Sequence, residues 1–366
     1  MLDIMIPFWG DPDLLMAALG SVRAQTSAAW RCVVVDDCYP VDVAGRIAAL
    51  DDERITYVRN EQNLGITNNY RRCVELATAE WMCFFGCDDL MEPTYVAVME
   101  KAAAAYPRAA VIAPRVAVVD ENGDEVKPLR DRVKQGLLRP RGPVPVLLEG
   151  EEAATKLLTG DWLYWPSLTF RRAAIAAHDF RDDFPIIQDL AVLIDIVLDG
   201  GALLSLPAQT FRYRRHSASA SSASAVDGRR MTGERRYLDL AAALMEEQGW
   251  PKAARAARLR LLSRLDAVTL LPAALKARNK EGLRVLIDHA VSVRPLAVGD
   301  SGFGSQLAAG DAGRGSQLAA GDAGRGSQLA AGDSGYGSQL AAGDAGRHSA
   351  LPGSRTPAEE QHWPAR

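Results

Sequence analysis

The sequence predicts an α/β fold: a mostly parallel sheet with helices on both faces, followed by a small helical segment and a repetitive tail. Three observations carry this expectation. Short apolar runs alternate with amphipathic helical patterns through the first third of the chain. The run Trp81–Phe85 then stops abruptly at Gly86-Cys87-Asp88-Asp89, as a buried strand does where it reaches a ligand cleft at its C-terminal end. From Glu234 onward the pattern turns helical, and from Gly299 it gives way to an 11-residue near-repeat.

The elements follow in order. Leu2–Ile6 is a strand, stopped by Pro7, and Asp13–Gln25 is a helix with Leu14, Leu15, Ala18, Leu19 and Val22 on one face. Arg31–Val35 and Arg54–Val58 are strands, Thr67–Ala77 is a helix and Trp81–Phe85 is a strand. Pro93–Ala105 is helical and Ala110–Ala113 is again a strand. Asp120-Glu-Asn122-Gly-Asp124 begins like a calcium loop, but its glycine comes two positions early and no glutamate closes it. Asn122-Gly123 is therefore read as a hairpin turn. A loop over Arg130–Pro145 holds Arg130, Arg132, Lys134, Arg139 and Arg141. Helix Glu151–Leu158, a strand near Ser167–Phe170, helix Ile187–Leu198 and strand Ala202–Leu206 come next.

Ser217–Ala225 is nearly all Ser and Ala and reads as a linker. Tyr237–Glu247 is a helix closed by Gly249, and Pro251–Leu270 is a basic amphipathic helix. Such a helix either packs on its own domain with solvated charges or lies on an anionic membrane. Each near-repeat starting at Gly299, Gly310, Gly321 and Gly332 carries several glycines and one leucine. That is too little apolar surface to offset the entropy of ordering the chain, so this tail is predicted to be disordered and without a catalytic role. Three regions result: 1–225 as the catalytic domain, 226–298 as a helical extension and 299–366 as the low-complexity tail.

Bulk properties exclude several classes. The 366 residues are 48% hydrophobic and 24% charged, with a formal net charge of −4, so no overall positive field marks a nucleic-acid partner. The five cysteines (Cys32, Cys38, Cys73, Cys83, Cys87) are odd in number and contain no Cys-x-x-Cys pair, which supports neither a disulfide framework nor a zinc site. Neither a signal peptide nor a membrane span is evident in the sequence. A cytoplasmic protein is expected, with contact at the inner face of a membrane and self-association left open.

Asp88 and Asp89, beyond the strand end, suit a hard divalent cation that would hold a diphosphate. They equally suit a capped turn before the next helix. Trp162 and Trp165, beside Asp161 and Tyr164, offer faces that stack on sugars or fill a core.

Four ordered segments bear a resemblance. They are Ile6-Pro7 with Ser21–Thr26, then Val33–Asp37, then Asn63–Asn69 leading into Phe84–Asp89, and finally Gln188-Asp189 followed by Tyr213-Arg214-Arg215-His216. Together they resemble the family 2 glycosyltransferases, across about Leu2–Ser224. The resemblance implies the Rossmann-like A-type glycosyltransferase fold and transfer of a sugar from a nucleoside diphosphate sugar to an acceptor hydroxyl. The acceptor would be a saccharide, a lipid-linked molecule or a small molecule, as in polysaccharide or glycoconjugate synthesis. It implies a nucleotide site of Pro7, Phe8, Asp36, Asp37, Asn69 and Asp88. It implies a Mg²⁺ or Mn²⁺ ion held by Asp88, Asp89 and His216, and Asp189 as the general base. Arg214, Arg215 and Trp165 would face phosphate or acceptor.

Two positions depart from the family pattern: Gly86 replaces the first carboxylate of the metal motif, and Gln188 replaces the Glu before the base. Two other classes compete, a nucleotidyltransferase of sugar metabolism and a non-catalytic nucleotide-sugar-binding relative. The former usually opens with a glycine-rich basic loop after the first strand, which Pro7-Phe-Trp-Gly-Asp-Pro lacks.

Overall fold

The computed structural model describes residues 1–128, 131–132, 134–215 and 229–292. The expected linker, the repeat tail and His216 all lie outside these residues.

The order of elements is β1 (Leu2–Phe8), α1 (Pro12–Arg23), β2 (Trp30–Asp36), α2 (Ala44–Ala48), β3 (Ile55–Arg59), α3 (Ile66–Leu76), β4 (Trp81–Phe84), β5 (Leu90–Met91), α4 (Tyr95–Ala105) and β6 (Ala109–Val119). After a π-helical turn at Lys134–Leu138 come β7 (Val146–Leu148), α5 (Gly150–Thr159), a 3₁₀ turn at Trp165–Ser167, β8 (Thr169–Arg171), α6 (Arg172–Ala176), α7 (Gln188–Leu198) and β9 (Ala202–Arg214). Four further helices are α8 (Arg229–Glu247), α9 (Pro251–Leu259), α10 (Leu261–Lys276) and α11 (Lys280–Val291).

The sheet runs β3-β2-β1-β4-β8-β6-β9-β5, with β7 also on β9. Strands β3, β2, β1 and β4 are mutually parallel, so Phe8, Asp36, Arg59 and Phe84 all end on one side. β1 is almost wholly buried between β2 and β4, which is why it reads as an apolar run interrupted only by Asp3. Its one internal acid, Asp3, accepts from Arg31 Nε at 3.0 Å and from the Thr78 and Ala79 amides, tying β1 to β2 and to the turn before β4. α1 starts at Asp11, whose side chain accepts from the Asp13 amide at 2.7 Å, with Pro12 in the first turn.

Four expectations change. The sheet is mixed, since β8 runs antiparallel to both β4 and β6, and β5 and β7 run antiparallel to β9. Strands buried on both faces look alike in sequence whichever way they run. Pro7 does not stop β1, which continues to Phe8 beside Asp36 of β2. β4 pairs only as far as Met5, so at Pro7 a missing N–H costs nothing on that flank. β9 continues through Pro207 to Arg214, accommodated by register shifts against β6. The helix expected over Pro251–Leu270 breaks at Arg260, which adopts a left-handed backbone with φ 48°.

The Asn122-Gly123 turn forms as expected: Gly123 has φ 90°, and the Asp120 side chain accepts from the amides of Asn122 and Asp124. Helices α8 and α9 share one apolar cluster with the sheet domain, in which Tyr237, Leu238 and Ala257 pack with Leu157, Leu190 and Ala191. α10 and α11 form a smaller cluster of Ala267, Ala274 and Leu286 with Met231 of α8.

Candidate active site

The C-terminal ends of β1 and β2 carry the first group of residues. Phe8 is buried and meets Tyr39 edge-on at 5.3 Å; the exposed Trp9 meets the same ring at 5.3 Å. Pro7 is half-buried beside them. Asp36 is fully buried and accepts from the Tyr39 amide (2.7 Å), Tyr57 Oη (2.5 Å) and an Arg59 guanidinium nitrogen (2.8 Å). Asp37 accepts from Asn60 Nδ2 (2.9 Å) and from the amides of Leu64 (2.8 Å) and Gly65 (2.9 Å). Asn69 completes this network: its Oδ1 accepts from Asn60 Nδ2 and its Nδ2 donates to the Val35 carbonyl. Both aspartates thus direct their carboxylates into the protein. Asp36 anchors Tyr39, and Asp37 shapes the loop that opens α3.

Beyond β4, two carboxylates converge. A Cβ placed on Gly86 would lie 2.5 Å from Asp89 Oδ2 and 3.1 Å from Asp88 Oδ1, so the two side chains meet over the bare face of this glycine. Asp89 is buried; its Oδ1 accepts from the Arg214 amide at 2.8 Å, and its Oδ2 has no hydrogen-bond partner. Burial, with the charge of Asp88 second, pushes the Asp89 carboxyl well above the usual range. Arg214 braces the corner. Its Nε donates to the Asp88 carbonyl at 2.9 Å and its Nη1 to the carbonyls of Asp120 and Glu121. Its guanidinium is therefore engaged by protein carbonyls.

Tyr213 links this corner to the neighbouring loop. Burial, followed by the charge of Asp89, pushes its hydroxyl up to about 12. Its ring lies 5.1 Å from that of Tyr164, whose hydroxyl donates to Asp131 Oδ1 at 2.7 Å. Arg215 Nη2 donates to the same oxygen at 2.8 Å, whereas the buried Asp131 Oδ2 has no partner. In the expected basic loop, Arg139 is buried, donating to the carbonyls of Pro114 and Leu206, and burial lowers its guanidinium to about 10. Arg130 lies outside the described residues.

Asp189 stands in the first turn of α7. Gln188, immediately before it, is buried and accepts from the Thr67 hydroxyl at 2.8 Å, joining α7 to the start of α3. One turn further along α3, Arg71 reaches Asp179, Asp182 and the Phe180 carbonyl in the loop leading to α7. Tyr70 packs against Phe84, Trp165 and Phe180, and burial, followed by the charge of Asp189, raises its hydroxyl above the usual range. Trp165 belongs to the core, stacked on Phe84 at 5.2 Å and packed against Phe170 at 5.0 Å. Trp162 is buried as well.

Sequence reasoning assigned no individual role to Tyr39, Trp9, Tyr213 or Asp131. Tyr213 opens the motif already singled out, and Asp131 is the lone acid in a basic loop; these were the available signals.

Residues 3–155 match the sequence profile described as Glycosyl transferase family 2. Over those residues the chain is similar to the family 2 glycosyltransferases. The Escherichia coli (strain K12) protein WcaA, named as a glycosyl transferase of colanic acid biosynthesis, is 30% identical over 100 residues, or 27% of this chain and 36% of WcaA. The uncharacterized protein y4gI of Sinorhizobium fredii (strain NBRC 101917 / NGR234) is 28% identical over 116 residues, covering 31% of this chain and 13% of that protein. The uncharacterized protein MT1568 of Mycobacterium tuberculosis (strain CDC 1551 / Oshkosh) is 25% identical over 242 residues, covering 65% of this chain and 74% of its own. The chain thus spans about a third or less of the length of the first two relatives.

The crystal structure of Staphylococcus aureus TarS 1–349 superposes with a TM-score of 0.51 at 13% identity, covering 80% of this chain and 88% of TarS 1–349. That likeness supports the fold. Among the described residues, no group of three His, Cys, Asp or Glu side chains gathers as a metal site. No helix among them is long and apolar enough to cross a membrane.

Proposed function

We propose that this glycosyltransferase moves a sugar from a nucleoside diphosphate sugar to an acceptor hydroxyl with inversion at the anomeric carbon. The acceptor belongs to polysaccharide or glycoconjugate synthesis, the setting that the name of WcaA also suggests. The observation that carries this reading is the convergence of Asp88 and Asp89 over Gly86, beyond the last of four parallel strands. In open α/β sheets that is where ligands bind.

A divalent ion fits this corner. The buried, unpartnered Asp89 Oδ2 lies beside Asp88 Oδ1 and supplies hard oxygen to Mg²⁺ or Mn²⁺. Such an ion, when bound, neutralises charge on the leaving diphosphate. The rest of the chemistry falls to side chains of the chain. Arg214 keeps the two carboxylates in place through its bonds to Asp88, Asp120 and Glu121. Pro7, Phe8, Asn69, Asp36 and Asp37 form the nucleotide side, the aspartates acting through Tyr39 and the Asn63–Gly65 loop that they fix. Asp189 takes the proton of the acceptor hydroxyl as its oxygen bonds to the anomeric carbon and the sugar–phosphate bond breaks. Arg215, held by Asp131, is the cation assigned to the diphosphate, and His216 is assigned to the metal or a phosphate.

The test is a panel of nucleoside diphosphate sugars with Mn²⁺ or Mg²⁺, read as release of free nucleoside diphosphate. Release from at least one donor is expected. Donor binding without release would leave a non-catalytic binding relative, and pyrophosphate-dependent conversion of a donor to a nucleoside triphosphate and a sugar 1-phosphate would make it a nucleotidyltransferase.

A further inference from the structure

Helix α10 carries a stripe of exposed apolar side chains. Its inward positions are small, Ser263, Ala267 and Ala274, all buried. Leu270 and Leu271 pack against the α10–α11 cluster, but four large apolar residues face away: Leu261, Leu265, Val268 and Leu275 are 50–66% exposed. Spacings of four, three and seven residues keep these four on one side of the helix, about 21 Å end to end at 1.5 Å rise per residue. A helix packed on its own domain for stability buries its large apolar side chains and exposes small or polar ones. On α11, Ile287 and Val291 add exposed apolar surface one turn apart. A stripe of this extent, beyond scattered single residues, marks an interaction surface.

Charge identifies the occupant. Residues 261–292 hold five Lys or Arg and three Asp or Glu, and two of these acids, Asp266 and Asp288, pair with Arg230 and Arg235 of α8, against a net −4 for the whole chain. Lys276, Lys280 and Arg284 are exposed at the end of α10 and on α11. A second copy would bring the same positive segment against itself, which is repulsive. An anionic bilayer answers both features: leucine and valine side chains enter the acyl boundary while flanking cations meet lipid phosphates. We infer that the exposed face of α10 and α11 docks the protein peripherally on an anionic phospholipid membrane. The inference stands apart from the catalytic reading, because none of these residues belongs to the proposed site.

The test is flotation of the full chain with vesicles of phosphatidylcholine alone and with added phosphatidylglycerol. Binding to the anionic vesicles, weakened by high salt, is expected. Leu265→Glu combined with Val268→Glu is expected to weaken that binding by about tenfold or more, since each side chain removed from the acyl boundary is worth at least one such factor. The melting temperature should stay near wild type, because both side chains are exposed. Lys280→Glu with Arg284→Glu, which alters only exposed charges, is expected to reduce binding to anionic vesicles selectively. No binding by wild type, or equal binding by the variants, would overturn the inference. So would a wild-type dimer in light scattering that Leu265→Glu converts to monomer without any effect of vesicles, since the occupant would then be a second copy.

Discussion

The Thr67 hydroxyl donates to Gln188 Oε1 across 2.8 Å, joining the first turn of α3 to the residue that precedes Asp189. Thr67→Val removes the donor and leaves a buried amide oxygen short of a partner, which costs about 1–3 kcal/mol. Denaturant titration should show a loss of this size, and turnover should fall more than donor affinity. Unchanged turnover in Thr67→Val would mean that the position of Asp189 does not depend on this bond.

Asp189→Asn should keep the fold and donor binding while lowering turnover by about 10²- to 10⁴-fold, the usual contribution of a positioned base. Steady-state release of nucleoside diphosphate, paired with calorimetric donor titration, separates the two effects. Wild-type turnover in this variant would remove Asp189 from the reaction.

Asp89 gives a pH signature. Its carboxyl is raised by burial and by Asp88, so the folded chain holds this proton more tightly than the unfolded chain. The associated stability is complete below the ordinary carboxylate range, near pH 4, and is lost as pH rises toward the folded-state value. Metal-free wild type should therefore lose stability over that rise, and Asp89→Asn should lose less. Mn²⁺ should raise the melting temperature of wild type at neutral pH and leave Asp89→Asn unmoved; an equal rise in both would place the ion elsewhere.

Gly86→Ala would set a methyl group 2.5 Å from Asp89 Oδ2, a distance that forces the carboxylate aside. Overpacking of this kind costs about 1–3 kcal/mol. The variant should lose Mn²⁺-dependent stabilisation and turnover together, and retention of both would show that the carboxylates can part without consequence. As the site is built, Asp89 Oδ2 occupies the space that a Cβ at position 86 would need.

Truncation after Val298 removes a segment whose repeats carry one leucine each. Release of nucleoside diphosphate by the truncated protein should equal that of the full chain, and a loss of folding by circular dichroism would contradict this.

Much of the site was legible in linear order. The apolar run before Asp88 and Asp89, the Asp36-Asp37 pair and Gln188-Asp189 each mark the end or start of an element, and local pattern reports such boundaries well. The partners were not legible. Asp37 meets Asn60, and Thr67 meets Gln188, through side chains separated by 23 and 121 residues. Trp165 reads as a sugar platform or a core residue with equal ease, and its stacking on Phe84 depends on where β8 is inserted.

The order of apolar runs, turns and acids determined the α/β alternation, the positions of the parallel strand ends and the family likeness, because those features depend on periodicity and on short motifs. Tertiary structure alone decided that β8 enters the sheet antiparallel, that Arg260 breaks a helix and that α10 turns Leu261, Leu265 and Leu275 outward. Strand direction and helix facing depend on which distant surface each element meets, and hydrophobic contact has no preferred direction along the chain.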